Sequence, residues 1–178
     1  MAEPVVEFMR HTARDAEAHA RGINELRVKL ERALLAGDTL ATLDHAADLG
    51  SMLTTDRREF EALRLLRKHS AAAEALPHDE PAGWFWSAYA TALQYTGARA
   101  EADIYFAKAL SLSSAFRWSR LQALVLHHWG RSLAEQRRYS EAESRFTEGL
   151  ALRVQLNDPR QESARRALGH LAELRNQA

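Results

Sequence analysis

The side chains most able to do chemistry in these 178 residues are eight histidines and scattered carboxylate pairs, because the chain has no cysteine. Without cysteine there are no disulfides, thiolate metal sites or cysteine nucleophiles, a composition that suits a reducing cytoplasm. His127 and His128 are adjacent, and a shared metal ion is the first chemistry they bring to mind. Neighbours on a helix point about 100° apart, so such a pair needs a third ligand to close a site. The plainer expectation is two surface histidines on a helix, with no metal and no other cofactor. Asp44 and Asp48 stand one helical turn apart and fit either a solvated face or a contact for a cation or basic peptide. No Gly-rich phosphate loop, G-x-S-x-G elbow or H-E-x-x-H motif occurs, and the E-x-x-H pairs of helical di-iron bundles are not present in two copies. The expected role is therefore not catalytic.

The bulk properties narrow the partners. Lys plus Arg and Asp plus Glu number 24 each, so no excess charge draws the chain to nucleic acid or an anionic membrane surface. Val5, Val6, Phe8 and Met9 are too few for the apolar core of a signal peptide, and no later stretch approaches the ~18 apolar residues of a membrane span. The reading is a soluble cytoplasmic protein whose partner is another protein or a peptide, with a homodimer as a further possibility. With 46% hydrophobic residues and few prolines, the length suits one domain with a continuous core. Ala, Leu, Arg and Glu recur throughout, which predicts an all-α chain.

The elements that would position these residues follow from an internal repeat. Ala62, Ala102 and Ala142 recur at intervals of forty, each followed four positions later by a large residue, Leu66, Phe106 and Phe146. Twelve positions before each alanine stand Gly50, Ala90 and Gly130, preceded directly by Leu49, Tyr89 and Trp129 and followed three later by Leu53, Leu93 and Leu133. Antiparallel helices approach closely only where a small side chain allows it, so the small columns predict helix contacts and the large ones fill the space beside them. Glu61, Glu101 and Glu141 form a further column, expected as a favourable charge near a helix N-terminus. Stop and cap signals divide the chain into an N-terminal helical segment (1–37), three helix pairs (39–76, 80–113, 115–156) and a last helix over 159–176. Ser113-Ser114 reads as the start of the third pair, and Pro159 as the first residue of the last helix. The last helix carries its apolar residues Ala164, Ala167, Leu168, Leu171 and Leu174 on one stripe, as a terminal cap would. From Phe8 to Leu34 apolar residues recur every three or four positions, which predicts helix and leaves open one helix or two. Forty residues back from the repeat, Gly22 and Leu26 fall on the small and large columns, hinting at a degenerate earlier copy.

The copies Trp86-x2-Tyr89-Ala90-x2-Leu93 with Ala102-x3-Phe106, and Leu126-x2-Trp129-Gly130-x2-Leu133 with Ala142-x3-Phe146, resemble the tetratricopeptide repeat family. Ala46-x2-Leu49-Gly50-x2-Leu53 with Ala62-x3-Leu66 is a weaker third. The resemblance covers roughly two-thirds of the chain, from Thr39 to Leu156. Two features depart from it. The family's terminal proline is missing from every copy, its places being taken by Glu74, Ser114 and Val154, and the period is forty against about 34. Longer helices would absorb the difference. The resemblance implies a right-handed helical-hairpin solenoid closed by a C-terminal capping helix. It also implies a concave binding groove lined by the first helix of each pair. By register that groove takes Asp44, Asp48 and Ser51 from the first copy, Trp84, Ser87, Thr91 and Gln94 from the second, and His127 and Arg131 from the third. Trp84 is the sharpest of these, because a groove aromatic supplies much contact area at low entropic cost. The Lys, Asn and Arg clamp of the chaperone-binding members is not matched, so the implied ligand is a peptide or helix with some basic character rather than a C-terminal carboxylate. An effector-sensing regulatory domain and a self-assembly scaffold are the alternatives.

Overall fold

The computed structural model describes residues 7 to 177, and these hold eight α-helices and no strand. They are α1 (Ala16–Leu35), α2 (Thr39–Thr55), α3 (Glu59–Ala75), α4 (Glu80–Tyr95), α5 (Arg99–Ala115), α6 (Ser119–Glu135), α7 (Tyr139–Gln155) and α8 (Gln161–Gln177). Six of the last seven helices are 17 residues long, and α4 has 16. A 17-residue helix and a three-residue turn, taken twice, make the forty-residue period.

All but one of the turns between helices share a left-handed residue. Gly37, Arg57, Gly97, Arg117, Arg137 and Asn157 all have φ between +48° and +88°, one every twenty residues apart from position 77. Position 77 is proline, whose ring holds φ near −65° and forbids the left-handed conformation. At positions 37, 57, 97, 137 and 157 the chain closes by paired reverse bonds, as where Arg58 N–H donates to the Leu53 carbonyl (2.9 Å) and Arg57 N–H to that of Thr54 (3.2 Å). The same two bonds recur at Arg137 and Arg138, and they satisfy carbonyls that the helix end leaves free. Arginine gains nothing from the left-handed region that glycine would not give at lower cost. Arg137→Gly should therefore stabilise the chain by on the order of 0.5–1 kcal/mol, seen as a higher urea midpoint at unchanged slope. A lower midpoint would mean that the arginine side chain outweighs its backbone strain.

The described residues form two compact units. In residues 11 to 116, each helix packs on the next in sequence and α2 also packs along α4, which is the contact pattern of stacked helical hairpins. α1 packs on α2 as one unbroken helix, capped by the Asp15 carboxylate accepting from Ala18 N–H (2.9 Å). Its position matches that of a second helix in the repeat, and no helix precedes it in residues 7 to 15. The helical expectation from Phe8 onward thus holds only from Ala16. The other unit comprises residues 7 to 10 and 117 to 177, in which α6 pairs with α7 and α7 with α8. There α8 buries Ala164, Ala167 and Leu171, the stripe expected of a cap.

The repeat columns are packing columns. Ala62, Ala102, Ala142, Ala90, Leu66, Phe106 and Phe146 are fully buried, and Leu49, Tyr89, Leu53, Leu93 and Leu133 nearly so. A methyl group added at Gly50 would come within 2.8 Å of Leu66, and one at Gly130 within 2.7 Å of the Phe146 ring. The small residue of each first helix is where the large residue of the second lies.

Two local expectations are corrected and a third is extended. Ser113 and Ser114 sit in the last turn of α5 rather than opening the third pair, and the Ser113 hydroxyl is satisfied by the Leu110 carbonyl (3.0 Å). α8 begins at Gln161, because Asp158 accepts from Arg160 N–H (2.8 Å) in a turn that holds Pro159 outside the helix. The glutamate column does more than face a helix dipole. Arg58 forks onto Glu61 (2.9 and 2.7 Å) and Arg138 onto Glu141 (2.8 and 2.7 Å), each from three residues earlier, and Arg27 of α1 reaches Glu61 as well (2.7 Å).

Candidate peptide site

The groove residues taken from sequence register fall in different surroundings. On α2, Asp44, Asp48 and Ser51 lie at helical spacing and are all exposed. Asp48 keeps an open surface, yet its carboxyl is crowded by packed atoms and faces Asp44 one turn away, and both push its pKa upward against the pull of His45 and Lys29. On α4, Trp84 is half-buried and its indole N–H donates to Glu80 (3.1 Å), whereas Phe85 and Trp86 are buried in the core. Ser87, Thr91 and Gln94 are buried, with the Thr91 hydroxyl donating to the Ser87 carbonyl (2.8 Å). These three are not part of an open surface.

His127 and Arg131 on α6 are also buried. The expectation of two surface histidines is corrected. His127 is 9% exposed, with its ring 5.5 Å from that of Phe146, and His128 retains part of its surface. Burial, together with Arg153, Arg131 and Arg160, drives the His127 pKa down to about 3. His128 is pushed well below its ordinary value by the same kinds of cause, desolvation first. Both rings are neutral at pH 7. Among the described residues, no group of three or more His, Asp or Glu side chains is arranged to hold a metal ion.

Arg131 instead takes part in holding a piece of the chain's own N-terminus. Its Nε–H donates to the carbonyl of Phe8 (3.0 Å), while the Phe8 N–H donates to the carboxylate of Glu135 (3.1 Å), one helical turn further along α6. The Phe8 ring is 4% exposed and stacks 5.8 Å from Phe146 in a cluster with Leu133, Ala142, Ala167 and Leu171. Met9, Trp129 and Leu168 pack around its edge. Residues 7 to 10 form a turn closed by an Arg10–Glu7 ion pair (2.7 Å), with Met9 at φ +50°. Side chains of α6 thus grip one residue's main chain on both sides, and the α6 to α8 core receives its ring. Glu135 and Phe8 were not legible as partners in the sequence. The two contacts span 127 and 123 residues, and neither periodicity nor spacing registers such a pair.

A shallow recess of about 350 Å³ lies at the α7 to α8 turn, lined by Arg120 and residues 156 to 160. Hydrogen bonds from the Arg160 guanidinium hold the Asp158 carboxyl there at a pKa of about 2. A more apolar recess of about 220 Å³, between α1, α2 and α3, is lined chiefly by Leu30, Leu34, Leu49, Leu53 and Leu65. Neither contains a groove residue taken from register. No helix in the described residues is long and apolar enough to cross a membrane. No protein-family model matches the chain, and no curated protein matches it either.

Proposed function

We propose that this chain is a non-catalytic protein- or peptide-binding module with tetratricopeptide-like repeats, acting in the cytoplasm. One observation carries the reading. Two charged side chains of α6, Arg131 and Glu135, are committed to the main chain of a segment more than 120 residues away in sequence, whose side chain fills an apolar pocket. Main-chain hydrogen bonds supply affinity and a side-chain pocket supplies selectivity, a division of labour common to peptide-recognition domains. Arg131 also belongs to the set that the repeat register assigns to a ligand. The exposed acids Asp44 and Asp48 support a partner with basic character elsewhere on the chain.

The test is selection from a library of displayed random peptides by the immobilised full chain. Enriched peptides should bind the purified chain in solution and lose at least about tenfold in affinity, roughly 1.4 kcal/mol, when Arg131→Gln is introduced into a chain that stays helical by circular dichroism. Enrichment no better than on a bare surface would sink the proposal.

A further inference from the structure

We infer that the Phe8 pocket of α6, α7 and α8 is a docking site for a turn peptide of a partner protein, with residues 7 to 10 as its tethered stand-in. The inference rests on the peptide-binding reading above and gives it a site, a ligand shape and a competitor. Four features of the occupant argue for it. The grip from Arg131 and Glu135 is on the Phe8 main chain, so it does not depend on which chain supplies that residue. The pocket itself asks for a flat apolar ring, because Phe146 stacks on it and Ala142 and Ala167 leave room beside it. Residues 11 to 15 form no helix and are mostly exposed, so the covalent link between the occupant and α1 is not itself packed into a core. Finally, the stand-in is an imperfect ligand.

That imperfection defines the partner. Met9 adopts φ +50°, a conformation that disfavours every side chain but is open to glycine and tolerated by asparagine. A partner turn with Phe followed by Gly or Asn would make the same main-chain bonds and fill the same pocket without that strain. The Arg10–Glu7 pair across the turn adds a preference for an acid before the Phe and a base after the glycine. A tethered segment competes at a local concentration on the order of millimolar. A foreign peptide must therefore be intrinsically better than residues 7 to 10, and a glycine at the strained position makes it so.

The experiment uses the full chain and a fluorescent nine-residue peptide carrying residues 4 to 12 with Met9→Gly, followed by anisotropy. Phe8→Ala in the chain should bind this peptide at least about tenfold more tightly than wild type, because its competitor no longer fills the pocket. The peptide with Phe8→Ala should bind neither protein. Met9→Gly in the chain tests the same idea without emptying the core, and should weaken peptide binding about fivefold by relaxing the chain's own turn. Equal binding to wild type, Phe8→Ala and Met9→Gly would overturn the tethered-competitor inference and leave peptide binding intact. No binding to any of them, with helicity retained, would show that the pocket only packs its own terminus. A wild-type dimer abolished by Phe8→Ala would assign the pocket to a second copy of this chain and overturn the foreign partner.

Discussion

Phe146→Ala should destabilise the chain by about 4 kcal/mol, the middle of the range for a buried aromatic. The side chain is fully buried, and its surroundings are poorly placed to refill the space. Across the pair stands Gly130, which has no side chain to move in, and the neighbouring Ala142 and Ala167 are already short. The Phe8 and His127 rings, at 5.8 and 5.5 Å, would each lose a face of contact. Because the cavity would persist, the loss should exceed the transfer free energy of the ring alone. Urea unfolding followed by circular dichroism measures it. A second readout is local: Phe8 loses its stacking partner, so tryptic cleavage after Arg10 should accelerate in the variant. A loss below about 1 kcal/mol would show that the repeat column does not carry the packing. Phe146→Leu offers the contrast, since the first repeat already pairs glycine with leucine at Gly50 and Leu66. That substitution keeps the apolar character and most of the volume, and should cost about 1.5 kcal/mol or less.

The columns that make this outcome predictable were readable because they are local and repeated. A small residue at position 50, 90 or 130 and a large one sixteen positions later report the same helix crossing three times, so chance agreement at one copy is corrected by the others. The turns were only half readable. Gly37 and Gly97 announce themselves, but Arg57, Arg117 and Arg137 occupy the same left-handed position with a residue that carries no turn signal. Ser113 and Ser114 misled for a related reason. A serine favours a helix start when its hydroxyl caps free N–H groups, but Ser113 bonds back to a carbonyl within α5.

The candidate site was less legible, and the reason is topological. Register assigned Arg131 to a ligand-facing position and could not supply the contact it makes, because Phe8 is separated from it by 123 residues and belongs to no repeat. Register also cannot report burial from a second direction. α6 buries Leu121, Val125, Leu126, His127, Gly130 and Arg131, more than one stripe of a helix, so a polar residue on the supposedly wet side turns out to be enclosed. The same holds for Ser87, Thr91 and Gln94 on α4, a helix with twelve buried residues. On α2, where burial is confined to fewer positions, Asp44, Asp48 and Ser51 remain at the surface.

The enclosed histidine makes acid the second large perturbation. His127 has a pKa of about 3 in the folded chain, for which burial is the first cause and the nearby arginines the next, against about 6.5 when unfolded. Between these values the unfolded chain binds a proton that the folded chain refuses, so stability is fully present above pH 6.5 and falls as the pH drops toward 3. Each unit in that window corresponds to about 1.4 kcal/mol, and the step from pH 6.5 to 5 removes roughly 2 kcal/mol through His127 alone. His128, also shifted downward, acts with the same sign, and so does Asp158 at lower pH, where its depressed carboxyl is finally protonated. Asp48 opposes them, because its raised pKa makes protonation favour the folded chain. Urea midpoints at pH 7.0 and 5.0 should therefore separate clearly for wild type, while His127→Leu, which removes the titrating ring from beside Phe146, should narrow the gap. An unchanged gap in the variant would mean that the acid sensitivity arises elsewhere.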